Sequence, residues 1–163
     1  DQIYFMKRTL PGDSVVGAGT VLNEREVREA EEAGADFMLS PSTCQEVIAY
    51  CAKQEIAYMP GVLTPSDMGL SLSYGFHVLK LFPANAFSIG YRNSLRGPFP
   101  QADFVAVGGV SLKNAAEYLN NGYAGVGIGS SLVKEALFLQ KKWELITSDI
   151  KEQLDVLKKE GLL

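Results

Sequence analysis

Apolar and polar positions alternate along this chain in blocks. Six short apolar runs lie at 15–19 (VVGAG), 36–40 (DFMLS), 56–61 (IAYMPG), 77–82 (HVLKLF), 103–109 (DFVAVGG) and 124–129 (AGVGIG), and each gives way to glycine, serine, proline or threonine. Amphipathic stretches such as NEREVREAEEAG and SLKNAAEYLNNG separate them. Asn23, Thr64 and Ser111 stand where helix N-caps are needed, and Gly34, Gly75 and Gly122 where helices end. A strand about every twenty residues with a helix between predicts βαβ units and a parallel sheet. The nearly continuous apolar character of the runs fits strands covered on both faces.

Six such strands are compatible with an open doubly wound sheet or with a (β/α)8 barrel of which strands 3–8 are present and strands 1–2 are missing. Two features favour the barrel. Every run ends in turn-forming residues, as expected where one rim carries all the functional loops. The last two runs end VGGVS and GIGSS, and barrels commonly bind phosphate in the loops after strands 7 and 8, at helix N-termini. The opening DQIYFMKRTLPGD reads as a helix ending before Pro11, with no strand ahead of it and no initiating methionine. The expectation is a single, partial barrel domain over 1–163. From Ser130 to Gly161 the chain reads as helical, broken near 147–149, with Phe138, Trp143, Ile146, Ile150, Leu154 and Leu157 packing on the outer ring or on another subunit.

Composition narrows the function classes. With 47% hydrophobic and 21% charged residues the 163-residue chain is an ordinary globular sequence, and its net charge of −4 argues against a nucleic-acid partner. No apolar stretch reaches the ~18 residues of a membrane span, and no signal peptide opens the chain. Cys44 and Cys51 are about 10 Å apart on a helix, too far for a disulfide. No zinc set exists, so a reduced, cytoplasmic protein is expected.

Candidate chemistry centres on Lys80, the one charge within VLKLF. An edge-strand lysine reaching solvent is the bland alternative. On the sixth barrel strand, near its C-terminal end, a desolvated lysine has a lowered pKa, and its neutral amine can attack a carbonyl to form a Schiff base. Gly108, Gly109, Gly129 and Ser130 read as an anion cradle of backbone N–H groups and one hydroxyl, the alternative being tight turns only. Thr20 in GAGTVL offers a hydroxyl to a substrate carboxylate or caps the following helix; both fit locally. Pro41 in SPS stands at a rim turn. His77 reads as structural, and Glu46, Asp67 and Glu117 as solvated charges on helices. No carboxylate can be placed beside Lys80, although Schiff-base chemistry needs a general acid–base group.

Taken in order, VVGAGTVLN, SPS, PG, LKLFPA, VGGVS and GIGSSLV resemble the 2-keto-3-deoxy-6-phosphogluconate (KDPG) and 4-hydroxy-2-oxoglutarate (KHG) aldolase family, over residues 1–135. The resemblance implies a cytosolic, commonly trimeric class I aldolase that uses no metal or other cofactor. It would cleave a phosphorylated keto acid to pyruvate and an aldehyde such as glyceraldehyde 3-phosphate. It further implies that Lys80 is the Schiff-base lysine and that Thr20 contacts the pyruvate carboxylate. Pro41 and Phe82 would line the pocket, and Gly108, Gly109 and Ser130 would hold the phosphate. The family's catalytic glutamate, on its second strand, and a nearby arginine have no counterpart in this sequence. Val107 stands where many gluconate-type members carry threonine and resembles the galactonate-type (KDPGal) relatives. A catalytically silent phosphate-binding barrel fragment is the alternative from another class.

Overall fold

The computed structural model describes residues 2–162. Helix α1 (Gln2–Thr9) is followed by strand β1 (Gly17–Ala18), α2 (Glu24–Glu32), β2 (Phe37–Leu39), α3 (Gln45–Lys53), β3 (Tyr58–Met59) and β4 (Gly61–Val62). Helix α4 (Pro65–Ser73), β5 (Val78–Leu81), α5 (Tyr91–Arg96), β6 (Asp103–Val107), α6 (Ala115–Asn120), β7 (Gly125–Gly127), α7 (Glu135–Leu139) and α8 (Trp143–Lys159) complete the chain. Each predicted apolar run carries a strand. The third carries two, because Pro60 interrupts it: β3 pairs back with β2, and β4 pairs forward with β5.

Two parallel sheets result, in the orders β1-β2-β3 and β4-β5-β6-β7. Strand order follows chain order without reversal. A doubly wound sheet needs a point where the order reverses, so that alternative is excluded.

The helix signals act as local chemistry requires. Asn23 accepts from the Glu26 backbone N–H at 3.0 Å, and Thr64 and Asp67 form a reciprocal capping box on α4. Asp67 is therefore engaged at a helix start and is not the solvated charge expected. Glycines 34, 75 and 122 have φ of 85°, 88° and 81° just past their helices. Ser111 does not cap α6; Asn114 precedes that helix, and its Oδ1 accepts from the Ser111 N–H at 2.8 Å.

Side chains alternate across the sheet and divide the interior. Ala18, Met38 and Tyr58 pack with Val27, Val47 and Ile48 of α2 and α3. Leu79, Leu81, Phe104 and Ala106 pack with Met68, Leu95 and Tyr118 of α4, α5 and α6. Each fully buried side chain of this size contributes about 1.5–3 kcal/mol. In a third cluster Leu157, Ile150 and Leu154 of α8 meet Leu112 and Ala115. The break in the C-terminal helical stretch lies at 140–142, and Thr147–Asp149 are inside α8. Phe138 and Trp143 flank that break, exposed and edge-to-face at 5.4 Å, rather than packed on the ring.

Helix α1 is tied to the β1–β2 edge. Lys7 Nζ lies 2.7 Å from Asp36, whose second oxygen accepts from the Val16 N–H at 2.7 Å. These two donors hold the Asp36 carboxyl below its ordinary pKa. Among the described residues no helix is long and apolar enough to cross a membrane.

Candidate active site

Alternation along β5 decides where Lys80 lies. Leu79 and Leu81 face the helices, so Lys80 belongs to the opposite face. Register sets Gly61 and Val105 beside it. Phe82, Val107, Gly125 and Gly127 share that face by the same alternation. Asp103 shares it too, but at the far, N-terminal end of β6, where it is exposed.

Lys80 is 8% exposed, so it is not the solvent-reaching edge lysine of the bland alternative. Among the described residues no carboxylate forms an ion pair with it. Burial alone lowers its pKa, since removing an ammonium from water favours the neutral amine. Its Nζ lies 4.7 Å from the centroid of the Phe82 ring. The ring face opposes the shift, favouring the cation by about 0.5–2 kcal/mol. The outcome is an amine with a depressed pKa and nothing but an aromatic face to hold its charge. That is the state a nucleophilic lysine needs.

Phe82 also leads from Lys80 to a depression of about 270 Å3. Six residues singled out in the sequence line it: Phe82, Val107, Gly108, Gly109, Gly129 and Ser130. Gly108 and Gly109 have φ of 97° and 72°, a region closed to most side chains. A Cβ on Gly108 would meet Pro83 and Phe82 at 3.1–3.2 Å, and one on Gly109 would meet the Asn85 side chain at 2.5–2.6 Å. The glycines are thus required for close approach as well as for the turn. Neither glycine segment opens directly into a helix, contrary to expectation. Residues 110–114 intervene before α6, and 130–134 before α7. The cradle is built from turns, not helix ends.

Thr20 and Pro41 lie outside this depression, on the rim formed by the C-terminal ends of the parallel strands. Thr20 has φ 62° and is exposed, and it does not cap α2, a role that falls to Asn23. Pro41 follows Ser40 at the end of β2, and its backbone abuts Gly61. His77 precedes β5 at the opposite end and is exposed. Glu46 and Glu117 are exposed on helices, as expected.

Sequence reasoning missed two features. Ser40 is fully buried, donates to the Val21 carbonyl at 2.6 Å and accepts from Tyr58 Oη at 2.7 Å. The SPS turn drew attention to Pro41, and only the spatial meeting of β1, β2 and β3 shows what the preceding serine does. Asn85, in the 3-10 turn Ala84–Ala86 after β5, lies against Gly109; the run ending at Pro83 gave no sign of it.

A family model described as KDPG and KHG aldolase matches residues 1–148. The KHG/KDPG aldolase of Escherichia coli (strain K12) is 36% identical over 120 residues, covering 73% of this chain and 56% of that protein. A crystal structure of KDPG aldolase from Legionella pneumophila, with pyruvate captured at low pH as a covalent carbinolamine, superposes with a TM-score of 0.82 at 35% identity. It covers 90% of this chain and 71% of that one. A native KDPGal structure matches with a TM-score of 0.80 and 25% identity over 96% of this chain and 76% of that one. The chain spans about half the length of the curated relatives it matches.

Proposed function

Since the chain belongs to the KDPG and KHG aldolase family, we propose that it is the Lys80-bearing part of a class I aldolase that cleaves a phosphorylated 2-keto-3-deoxy acid to pyruvate and an aldehyde. The observation that carries this is the environment of Lys80: buried, without a carboxylate partner, and joined through Phe82 to a glycine-lined depression.

In this reading the neutral Lys80 amine adds to the C2 carbonyl of the keto acid, and loss of water gives an iminium ion. The C3–C4 bond then breaks. Its electron pair passes into the iminium as an enamine, the C4 hydroxyl loses its proton and the aldehyde leaves. Protonation at C3 and hydrolysis release pyruvate and restore the amine. Lys80 is the electron sink, and the scheme uses no metal or other cofactor. Thr20 receives the carboxylate, and Pro41 and Phe82 wall the pocket. The N–H groups around Gly108, Gly109 and Gly129, with the Ser130 hydroxyl, take the phosphate. The proton steps need an acid–base group, and no described carboxylate pairs with Lys80, so the activity is proposed for the whole protein. These strands are read as strands 3–8 of a (β/α)8 barrel, assembled as a homotrimer.

Val107 favours a second reading, in which the substrate is of galactonate type. It presents methyl groups to the depression where a hydroxyl side chain would discriminate by hydrogen bonding. Borohydride reduction with pyruvate, followed by peptide mapping, tests the class: a pyruvyl adduct on Lys80 supports it, and an unmodified Lys80 overturns it. Relative turnover of the two C4 epimers then separates the substrates.

A further inference from the structure

Thr20 combines two properties that do not belong together in a passive turn. A β-branched residue at φ 62° holds a backbone conformation costing about 1–3 kcal/mol. Yet its hydroxyl makes no hydrogen bond with any described residue, so the strain is not compensated by a bond of its own.

The compensation lies one residue on. Val21 is fixed through both backbone groups: its N–H donates to Leu39 O at 3.0 Å, and its carbonyl accepts from Ser40 Oγ at 2.6 Å. Ser40 in turn accepts from Tyr58 Oη at 2.7 Å. Ser40 and Tyr58 are 1% and 7% exposed, so water does not compete for these bonds. The chain of bonds runs from β3 through the end of β2 to the residue after Thr20. On the other side of Val21, Leu22 N–H donates to Glu26 Oε2 at 2.7 Å and anchors the segment to α2. Burial keeps the Tyr58 phenol protonated, its pKa pushed up to about 12, so it remains a donor throughout the neutral range.

We propose that Ser40 and Tyr58 are positioning residues that hold Thr20 in its left-handed conformation, so that its free hydroxyl is preset for the substrate carboxylate. This rests on the aldolase reading of Lys80 and Thr20 and deepens it. Preorganisation of this kind acts on carboxylate binding and not on the amine.

The test is the pyruvate concentration giving half-maximal borohydride-trapped adduct on Lys80, set against hydroxyacetone, a ketone without a carboxylate. Thr20→Ala and Ser40→Ala are expected to raise the pyruvate requirement about tenfold, and Tyr58→Phe about threefold, from loss of one hydrogen bond each. Hydroxyacetone labelling stays unchanged in Ser40→Ala and Tyr58→Phe. The double variant Thr20→Ala/Ser40→Ala is no worse than Thr20→Ala alone, and Ser40→Thr, which keeps a hydroxyl, restores most of the loss. The proposal is overturned if Ser40→Ala and Thr20→Ala add independently. It is equally overturned if Ser40→Ala and Tyr58→Phe leave the pyruvate requirement unchanged, or alter pyruvate and hydroxyacetone alike. Should Ser40→Ala fail to fold, Tyr58→Phe, which retains the ring, decides. No adduct in the unsubstituted protein sinks the aldolase reading itself and this proposal with it. That outcome is distinct from the others.

Discussion

The ammonium group of Lys80 and the ring of Phe82 are separated by 4.7 Å, and the same ring lies against Gly108. One aromatic side chain therefore touches both the amine and the first glycine of the cradle. Whatever binds in the depression sits against the ring that faces the lysine. Filling the site removes residual water, which favours the neutral amine, whereas a phosphate bound there favours the cation.

Replacing Lys80 by methionine should abolish pyruvate trapping while leaving the fold intact. A buried amine without a carboxylate partner costs desolvation that a thioether of similar length does not, and a thioether also packs on the Phe82 ring. We expect stability to be unchanged or raised by about 1 kcal/mol, read from urea denaturation. A loss of several kcal/mol would mean that Lys80 has a partner in the folded protein.

The depressed pKa of Lys80 sets the sign of a pH effect. The folded state binds this proton less tightly than the unfolded chain, so stability rises with pH until the unfolded pKa, near 10.5, is passed. The stability gap between Lys80→Met and the unsubstituted protein should narrow as pH rises toward that value. The initial rate of trapping should climb and level off before it. A rate still rising in proportion to hydroxide beyond pH 10.5 would contradict a depressed pKa.

Two glycine substitutions should differ in severity. A Cβ on Gly61 would lie 2.6 Å from both the Ser40 and Pro41 carbonyl oxygens, and backbone on both sides cannot yield cheaply. Gly61→Ala is expected to cost at least 3 kcal/mol by order of magnitude, or to prevent folding, about the upper range for single substitutions. On Gly109 the obstacle is the exposed side chain of Asn85, whose outer atoms can swing aside while its Cβ, at 2.6 Å, yields only with the backbone of its turn. Gly109→Ala should cost about 2 kcal/mol, from its positive φ and the shift of the Asn85 turn, and Asn85→Ala should recover only the part due to the outer atoms of that side chain. Thermal melts of the three variants and the double variant decide.

Between α7 and α8 the burial pattern predicts a sharp contrast. Leu157, 4% exposed within the outer cluster, should cost about 2–4 kcal/mol when cut to alanine. Phe138→Ala, at a position 54% exposed, should cost less than about 1 kcal/mol, the value of its contact with Trp143. Comparable losses at both positions would indicate that Phe138 is covered in solution.

The strands were legible because each is a continuous apolar run bounded by turn residues, and the helices because Asn23, Thr64 and the glycines at 34, 75 and 122 mark their ends. Lys80 stood out because a charge in such a run needs a reason. Other features depend on what lies across a gap in sequence. Pro60 divides one run between two sheets only because its neighbours pair in opposite directions. The helix break at 140–142 rests on Lys141, at φ 52°, a residue with no turn propensity to announce it, whereas Thr147 and Ser148 looked like a turn and are helical. Ser40 reads as an ordinary turn serine until Val21 and Tyr58 are brought to it.

Within each sheet, the pairing of each strand with the next one along the chain has a consequence for synthesis. Gly17 meets Phe37, Met38 meets Tyr58, Gly61 meets Lys80 and Val105 meets Gly125, so each ladder closes within about twenty-five residues of chain. Loop-closure entropy is then modest at every step. A nascent chain leaving the ribosome can dock each βα unit onto the one before it, without waiting for its C-terminus. Lys80 would be placed against Gly61 before the glycine cradle has been translated.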